Sequence, residues 1–141
     1  MAWRFDHSAE STARPHDVWQ RHLDVDRWCE WSKHGVEWSH LDGPFAVGSK
    51  GKSKPPGSRP LRFKLVTVEP NERFASEVKM PGGRLRFEHV IEPSGTGSRI
   101  THSVALNGPL AFLYAPLVRK SVEKGLPDGV NRLAAMSARR A

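Results

Sequence analysis

In the stretch Leu85-Arg86-Phe87-Glu88-His89-Val90-Ile91, apolar and polar side chains alternate, with His89 on the apolar side. After the break Pro93-Ser94-Gly95-Thr96-Gly97, the stretch Ile100-Thr101-His102-Ser103-Val104-Ala105-Leu106 alternates in the same way, with His102 on its apolar side. A period of two is the pattern of a strand with one face buried, and the Pro/Gly-rich break between two such runs marks a hairpin. Closing that turn symmetrically sets Ile91 opposite Ile100, His89 opposite His102, and Phe87 opposite Val104. Every inward side chain then meets another inward one, as a correct register requires. Two histidines therefore sit side by side on the apolar face of a hairpin.

On the N-terminal side, Trp3, Phe5, His7 and Ala9 alternate with Arg4, Asp6, Ser8 and Glu10, which predicts a first half-buried strand. Thr12-Ala13-Arg14-Pro15 opens a helix, with Val18, Trp19, His22 and Leu23 on one face. A second short helix is expected from Asp26 to Trp31, placing Trp28 and Trp31 on one side. Between Gly35 and Leu106 every segment is short and strand-like. Breaks at Asp42-Gly43-Pro44, Pro55-Pro56-Gly57, Pro70-Asn71-Glu72 and Pro81-Gly82-Gly83 divide it, with the hairpin turn, into six consecutive antiparallel strands. After Gly108-Pro109 the pattern is helical to the end. Leu110, Leu113, Tyr114 and Leu117 form one stripe, and Val118, Val122, Leu126, Val130 and Leu133 continue a broad apolar side. Pro116 and Pro127 are expected to kink or break this helix, since each removes a backbone donor.

The chain has 141 residues, of which 38% are hydrophobic, and reads as one globular domain over 1–141. The only cysteine, Cys29, cannot form an internal disulfide, and Met1 to Asp6 hold no apolar signal-peptide core. Both features point to an intracellular, cytoplasmic protein. The uncharged run Ile100–Val118 contains His102, Asn107, Pro109 and Pro116, which exclude it as a membrane span. A net charge of +7 favours anionic partners in general and says nothing of fold.

The order of strand, two short helices, six strands and long helix carries several motifs. They are Arg14-Pro15-His16-Asp17-Val18-Trp19, Asp26-Arg27-Trp28-Cys29-Glu30-Trp31, and Gly43-Pro44-Phe45-Ala46-Val47-Gly48. Further along come Val68-Glu69-Pro70-Asn71-Glu72-Arg73-Phe74, Gly95-Thr96-Gly97-Ser98-Arg99-Ile100-Thr101, and Asn107-Gly108-Pro109-Leu110. Together they make the chain resemble, over nearly its whole length, the START-like (SRPBCC) superfamily, in its polyketide cyclase/dehydrase and lipid-transport branch. The resemblance implies an α+β helix-grip fold. A seven-stranded antiparallel sheet wraps around the C-terminal helix, and a cavity for a hydrophobic ligand lies between them. It also implies that the first strand pairs with the last, which would bring His7 beside His102 and His89. Members include cyclases, lipid carriers, hormone receptors and interaction modules, so the resemblance narrows the fold more than the chemistry.

Several chemical sites can be weighed on their residues. Ala46-Val47-Gly48-Ser49-Lys50-Gly51-Lys52-Ser53 looks like a relaxed phosphate loop, but Lys54-Pro55-Pro56-Gly57 cannot start the helix such a loop requires. Cys29, His34 and His40 have no metal-ligand spacing, and a zinc site on His7, His89 and His102 finds no support in local spacing, so neither metal nor cofactor is expected. Neither a nucleophilic triad nor an inward carboxylate pair is evident. Buried neutral histidines sharing hydrogen bonds are the plain reading of His89 and His102. The functional reading makes them, with Tyr114, ligand anchors or acid–base groups.

The leading expectation is a non-enzymatic binding module for a small hydrophobic, lipid- or polyketide-like ligand. Its cavity would be lined by Trp28, Trp31, Phe63, Phe74, Phe87, His89, His102, Leu110, Leu113, Tyr114 and Leu117. The alternative enzyme is a cyclase or dehydratase that uses His89, His102 or Tyr114 to move protons. A third reading is a macromolecular interaction module using the basic run Lys50, Lys52, Lys54, Arg59, Arg62 and Lys64. Only Phe63 interleaves that run, a poor stacking platform, so nucleic acid is not the expected partner. A monomer or weak dimer is expected.

Overall fold

A computed structural model describes residues 3–32 and 36–140, the last two of these by backbone alone. His34 and Gly35 lie outside the described residues. Seven strands form one antiparallel sheet: β1 (Trp3–Ser11), β2 (Trp38–Asp42), β3 (Lys50–Lys54), β4 (Leu61–Glu69), β5 (Arg73–Met80), β6 (Gly83–Ser94) and β7 (Gly97–Asn107). Their order is β1-β7-β6-β5-β4-β3-β2. Each of β2 to β7 lies beside its sequence neighbour, and β1 closes the far edge against β7. With the long C-terminal helix against the sheet, this is the expected α+β helix-grip arrangement.

The hairpin register is the one its alternation dictates, with Phe87 opposite Val104, His89 opposite His102 and Ile91 opposite Ile100. On the other side of β7, His7 stands opposite His102. Two glycines permit close approaches that any side chain would block. A Cβ on Gly51 would lie 2.5 Å from both the His40 carbonyl oxygen and the Phe63 ring, so its absence lets that ring cover β3. Gly108, at φ +116, turns the chain out of β7 with its Cα facing the Gly82 carbonyl, where a Cβ would come within 2.6 Å.

Three helices complete the chain: α1 (Pro15–Leu23), α2 (Trp28–Trp31) and α3 (Ala111–Arg140). Pro15 opens α1, where its missing N–H costs nothing, and Val18, Trp19 and His22 are its buried residues. The expected second short helix is a 3-10 turn, Val25–Arg27, running into the four residues of α2. Among the described residues no helix is long and apolar enough to cross a membrane.

The expectation for the last helix needs correction in two respects. Pro116 and Pro127 both lie inside α3, which is continuous from Ala111 to Arg140, so of the expected kink or break the break does not occur. The carbonyls they leave without a helical donor belong to Phe112 and Glu123, both exposed, where water can take the bond. The stripe Leu110, Leu113 and Leu117 does not face the sheet either. These side chains are 41%, 61% and 75% exposed, while Val130 and Leu133, farther along, are fully buried. The C-terminal half of α3 is tied to β1 and α1, with Asn131 beside His7 and the carbonyls of Ala134 and Met136 accepting from Ser11 and Arg21. In its first half Ala111 is fully buried and Val118 and Val122 pack against the core, but the side carrying Phe112, Leu113 and Leu117 faces outward.

Candidate functional site

The concave side of the sheet holds three histidines. His89 and His102, paired across β6 and β7, have ring centroids 4.3 Å apart, nearly perpendicular. The third, His22, descends from α1 and places its Nε2 3.1 Å from His102 Nε2. Its Nδ1 lies 3.1 Å from the Val18 carbonyl oxygen, one turn back on the same helix. A carbonyl can only accept, so Nδ1 of His22 carries the proton and its Nε2 is a bare acceptor. His102 must therefore donate from Nε2. One backbone carbonyl thus sets the tautomers of two buried rings.

Aromatic side chains wall the cluster. Phe74 stacks on His89 with centroids 4.1 Å apart and planes within 8°. Trp31 lies 5.7 Å from His22 and 5.5 Å from His102. Trp28 stacks on both Phe63 and Phe74 at 5.9 Å, and its indole N–H donates to the His22 carbonyl over 2.9 Å. Burial is the main electrostatic influence, because it removes water from the charged form of each ring. It lowers the pKa of His22 from 6.5 to about 4, against the opposing pull of the Val18 carbonyl. His89 lies well below the usual histidine range through burial first and the neighbouring His22 second, opposed by the nearby Phe74 backbone. His102 is lowered by burial, then by His89, His22 and His7. All three are neutral at pH 7. Nδ1 of His89 is buried and has no hydrogen-bond partner of good geometry.

Of the residues expected to line a site, the fold brings together Trp28, Trp31, Phe63, Phe74, His89 and His102, with Phe87 half-buried on the same strand face. It does not bring in Leu110, Leu113 or Leu117. Tyr114 is also elsewhere, half-buried over the β5–β6 turn and donating its hydroxyl to the Pro81 carbonyl at 2.8 Å. His7 lies beside His102 in the sheet, but its Nε2 is 3.2 Å from Asn131 Oδ1 on α3. The residue that sequence reasoning left out of the cluster is His22. Its signal was available, since it shares the apolar face of α1 with Val18 and Trp19, the face that must meet the sheet. Aromatic rings crowd the space under α1 and α2, and a concavity of about 400 Å³ lies outside it, lined in part by Glu77, Arg84, Arg86 and Pro109. Among the described residues, no group of three or more His, Cys, Asp or Glu is arranged to hold a metal ion.

Comparisons with known proteins agree with this architecture. The profile of the family described as polyketide cyclase/dehydrase and lipid transport matches residues 2–137. Protein MLL2253 of Mesorhizobium loti is similar in structure, with a TM-score of 0.78 at 16% identity over 99% of both chains. Norcoclaurine synthase of Thalictrum flavum is similar at 0.74 and 15% identity, over 98% of this chain and 95% of that one. The di-domain aromatase/cyclase StfQ of the steffimycin biosynthetic pathway is similar at 0.76 and 12% identity, over 97% of this chain and 51% of that one. At these identities the likeness is one of fold. No curated protein matches in sequence.

Proposed function

The chain belongs to the polyketide cyclase/dehydrase and lipid-transport family, and we propose that it binds a small hydrophobic, lipid- or polyketide-like molecule between its sheet and helices. Family membership supports a hydrophobic-ligand-binding or cyclase-type domain; the choice of site is our reading of the histidine cluster. The observation that carries it is Nδ1 of His89, a buried polar atom that has, among the described residues, no hydrogen-bond partner of good geometry inside an aromatic enclosure. Leaving such an atom unpaired costs about 1–3 kcal/mol. A ligand hydroxyl, which can donate or accept, would satisfy it in either tautomer. Trp28, Trp31, Phe63, Phe74, His89 and His102 would surround the ligand.

The wall that yields is α2. Four residues are too few to hold a helix by themselves, and its two tryptophans cover the histidines. Displacing α2 would open the interior and change the surroundings of Trp28 and Trp31. We read the protein as a single cytoplasmic domain, a monomer or weak dimer, acting without a cofactor.

Native mass spectrometry of freshly purified protein should find a co-purified lipophile, and adding it to stripped protein should alter tryptophan emission. His89→Phe keeps a flat ring and removes the anchor. It should leave stability unchanged or raise it, while weakening that ligand roughly tenfold, about 1.4 kcal/mol. An unaltered affinity in this variant would sink the anchor role. A second reading, cyclase or dehydratase chemistry, is favoured by the carbonyl–His22–His102 hydrogen-bond chain, which fixes the tautomers of two neutral imidazoles and so fixes which ring nitrogen of His102 is free to take a proton. It predicts turnover of a poly-β-ketone that His102→Phe abolishes, and absence of turnover leaves the carrier.

A further inference from the structure

The first half of α3 is unusual for a soluble domain. Phe112, Leu113 and Leu117 are 66%, 61% and 75% exposed. Together with the exposed Pro116 they form a continuous patch, since residues four apart on a helix are surface neighbours. Leu110 extends it to the β5–β6 turn, where its side chain lies against Gly82. Isolated exposed leucines need no explanation, but a contiguous patch of a few hundred Å² marks an interaction site.

The charges around the patch indicate what covers it. One turn beyond Leu117, Lys120 and Lys124 continue along the same exposed side of the helix, and neither has an ion pair among the described residues. Arg119 is neutralised by Glu123 at 3.0 Å. The arginines of the outer groove add less, because Glu77 lies within 3.8 Å of Arg84 and 3.3 Å of Arg86. An apolar helical face bordered by unpaired lysines matches the layering of a bilayer surface, with acyl chains beneath anionic headgroups. A second copy of the chain would bring the same lysines against each other.

We propose that the first half of α3 is a peripheral docking surface for an anionic membrane. Phe112, Leu113 and Leu117 enter the headgroup–acyl boundary, and Lys120 and Lys124 meet the lipid phosphates. No span is involved. The helix lies in the interface plane with its apolar side down, and the C-terminal half keeps the domain attached to it.

Flotation with phosphatidylcholine vesicles, with and without phosphatidylglycerol, tests this directly and does not require the internal ligand to be known. Binding to the anionic vesicles should exceed binding to the neutral ones by about tenfold or more. Phe112→Ser with Leu117→Ser should abolish it, and these exposed sites should leave the thermal melt in place. Lys120→Gln with Lys124→Gln should weaken binding by roughly tenfold and reduce its sensitivity to salt. Absence of vesicle binding overturns the proposal, as does binding that survives the double serine variant. A dimer in light scattering that the serine variant converts to monomer would assign the patch to a second copy and likewise overturn it.

Discussion

The properties of the interior turn on the state of three imidazoles. His22 is fully buried, and its pKa of about 4 in the fold compares with 6.5 for a free histidine. Between those values the unfolded chain binds a proton that the folded chain refuses, so stability falls as pH falls. The contribution is intact above about pH 6.5 and its loss is complete near pH 4, where it amounts to about 3 kcal/mol for this one ring. His89 and His102 shift in the same direction, which steepens the loss. Urea midpoints should therefore be level between pH 8 and 7 and drop steeply below about 6.5. His22→Phe should reduce the slope by removing one titrating group, whatever it does to stability at pH 8. A profile that stays level down to pH 5 would show that these rings are hydrated and chargeable in the folded protein. The pairing of His89 with His102 was legible in the sequence, because strand alternation fixes both the face and, through the turn, the partner. The bond from His22 was not, because a helical period reports which side of a helix is apolar and not where the helix lands.

The same distinction applies to α3, one helix with two environments. Its sequence carries apolar residues on a broad side from Leu110 to Leu133, and the stripe looks continuous. Periodicity does not say where the sheet ends. In the first turns Ala111 is fully buried and Val118 and Val122 pack against the core, while Phe112, Leu113 and Leu117 on the other side are exposed, and the larger side chains become fully buried only from Val130. Leu133→Ala should cost about 2–5 kcal/mol, the usual penalty for opening a cavity in a closed core. Leu117→Ala, sixteen residues earlier on the same apparent stripe, should change stability by about 0.5 kcal/mol or less. Chemical denaturation of the two variants separates the halves, and comparable losses would place both in one core. The prolines follow the same rule. Their cost depends on whether the freed carbonyl meets water, and exposure is a property of the assembled fold.

At the scale of the molecule, the β2–β3–β4 side of the sheet carries an unbalanced charge pattern. The register sets Lys50 opposite Lys64 and Lys52 opposite Arg62, all exposed; the first pair is flanked by Asp42 and Glu77, whereas Lys52 and Arg62 face each other with only His40 on the β2 side. Like charges directly opposite on adjacent strands destabilise a sheet, and the net charge of +7 adds a diffuse repulsion of the same sign. Alternation in the sequence predicted that these residues share a face, and the turn before Leu61 decides that they also stand in pairs. Sodium chloride should therefore stabilise the folded protein over the range in which the screening length contracts from about 10 Å at 0.1 M to about 3 Å at 1 M. Lys52→Glu isolates the local part of this effect. The new carboxylate would face Arg62 on one side and His40 on the other, turning a repulsive pair into an attractive one. It should raise stability by roughly 0.5 kcal/mol at low salt, with the gain fading by 1 M as the pair is screened. Lys52→Gln should recover part of the gain, since it removes repulsion without adding attraction. Thermal melts of the three proteins across a salt series give the comparison. A gain of equal size at both ends of the series would trace it to strand propensity, and the paired cations would then carry no measurable strain.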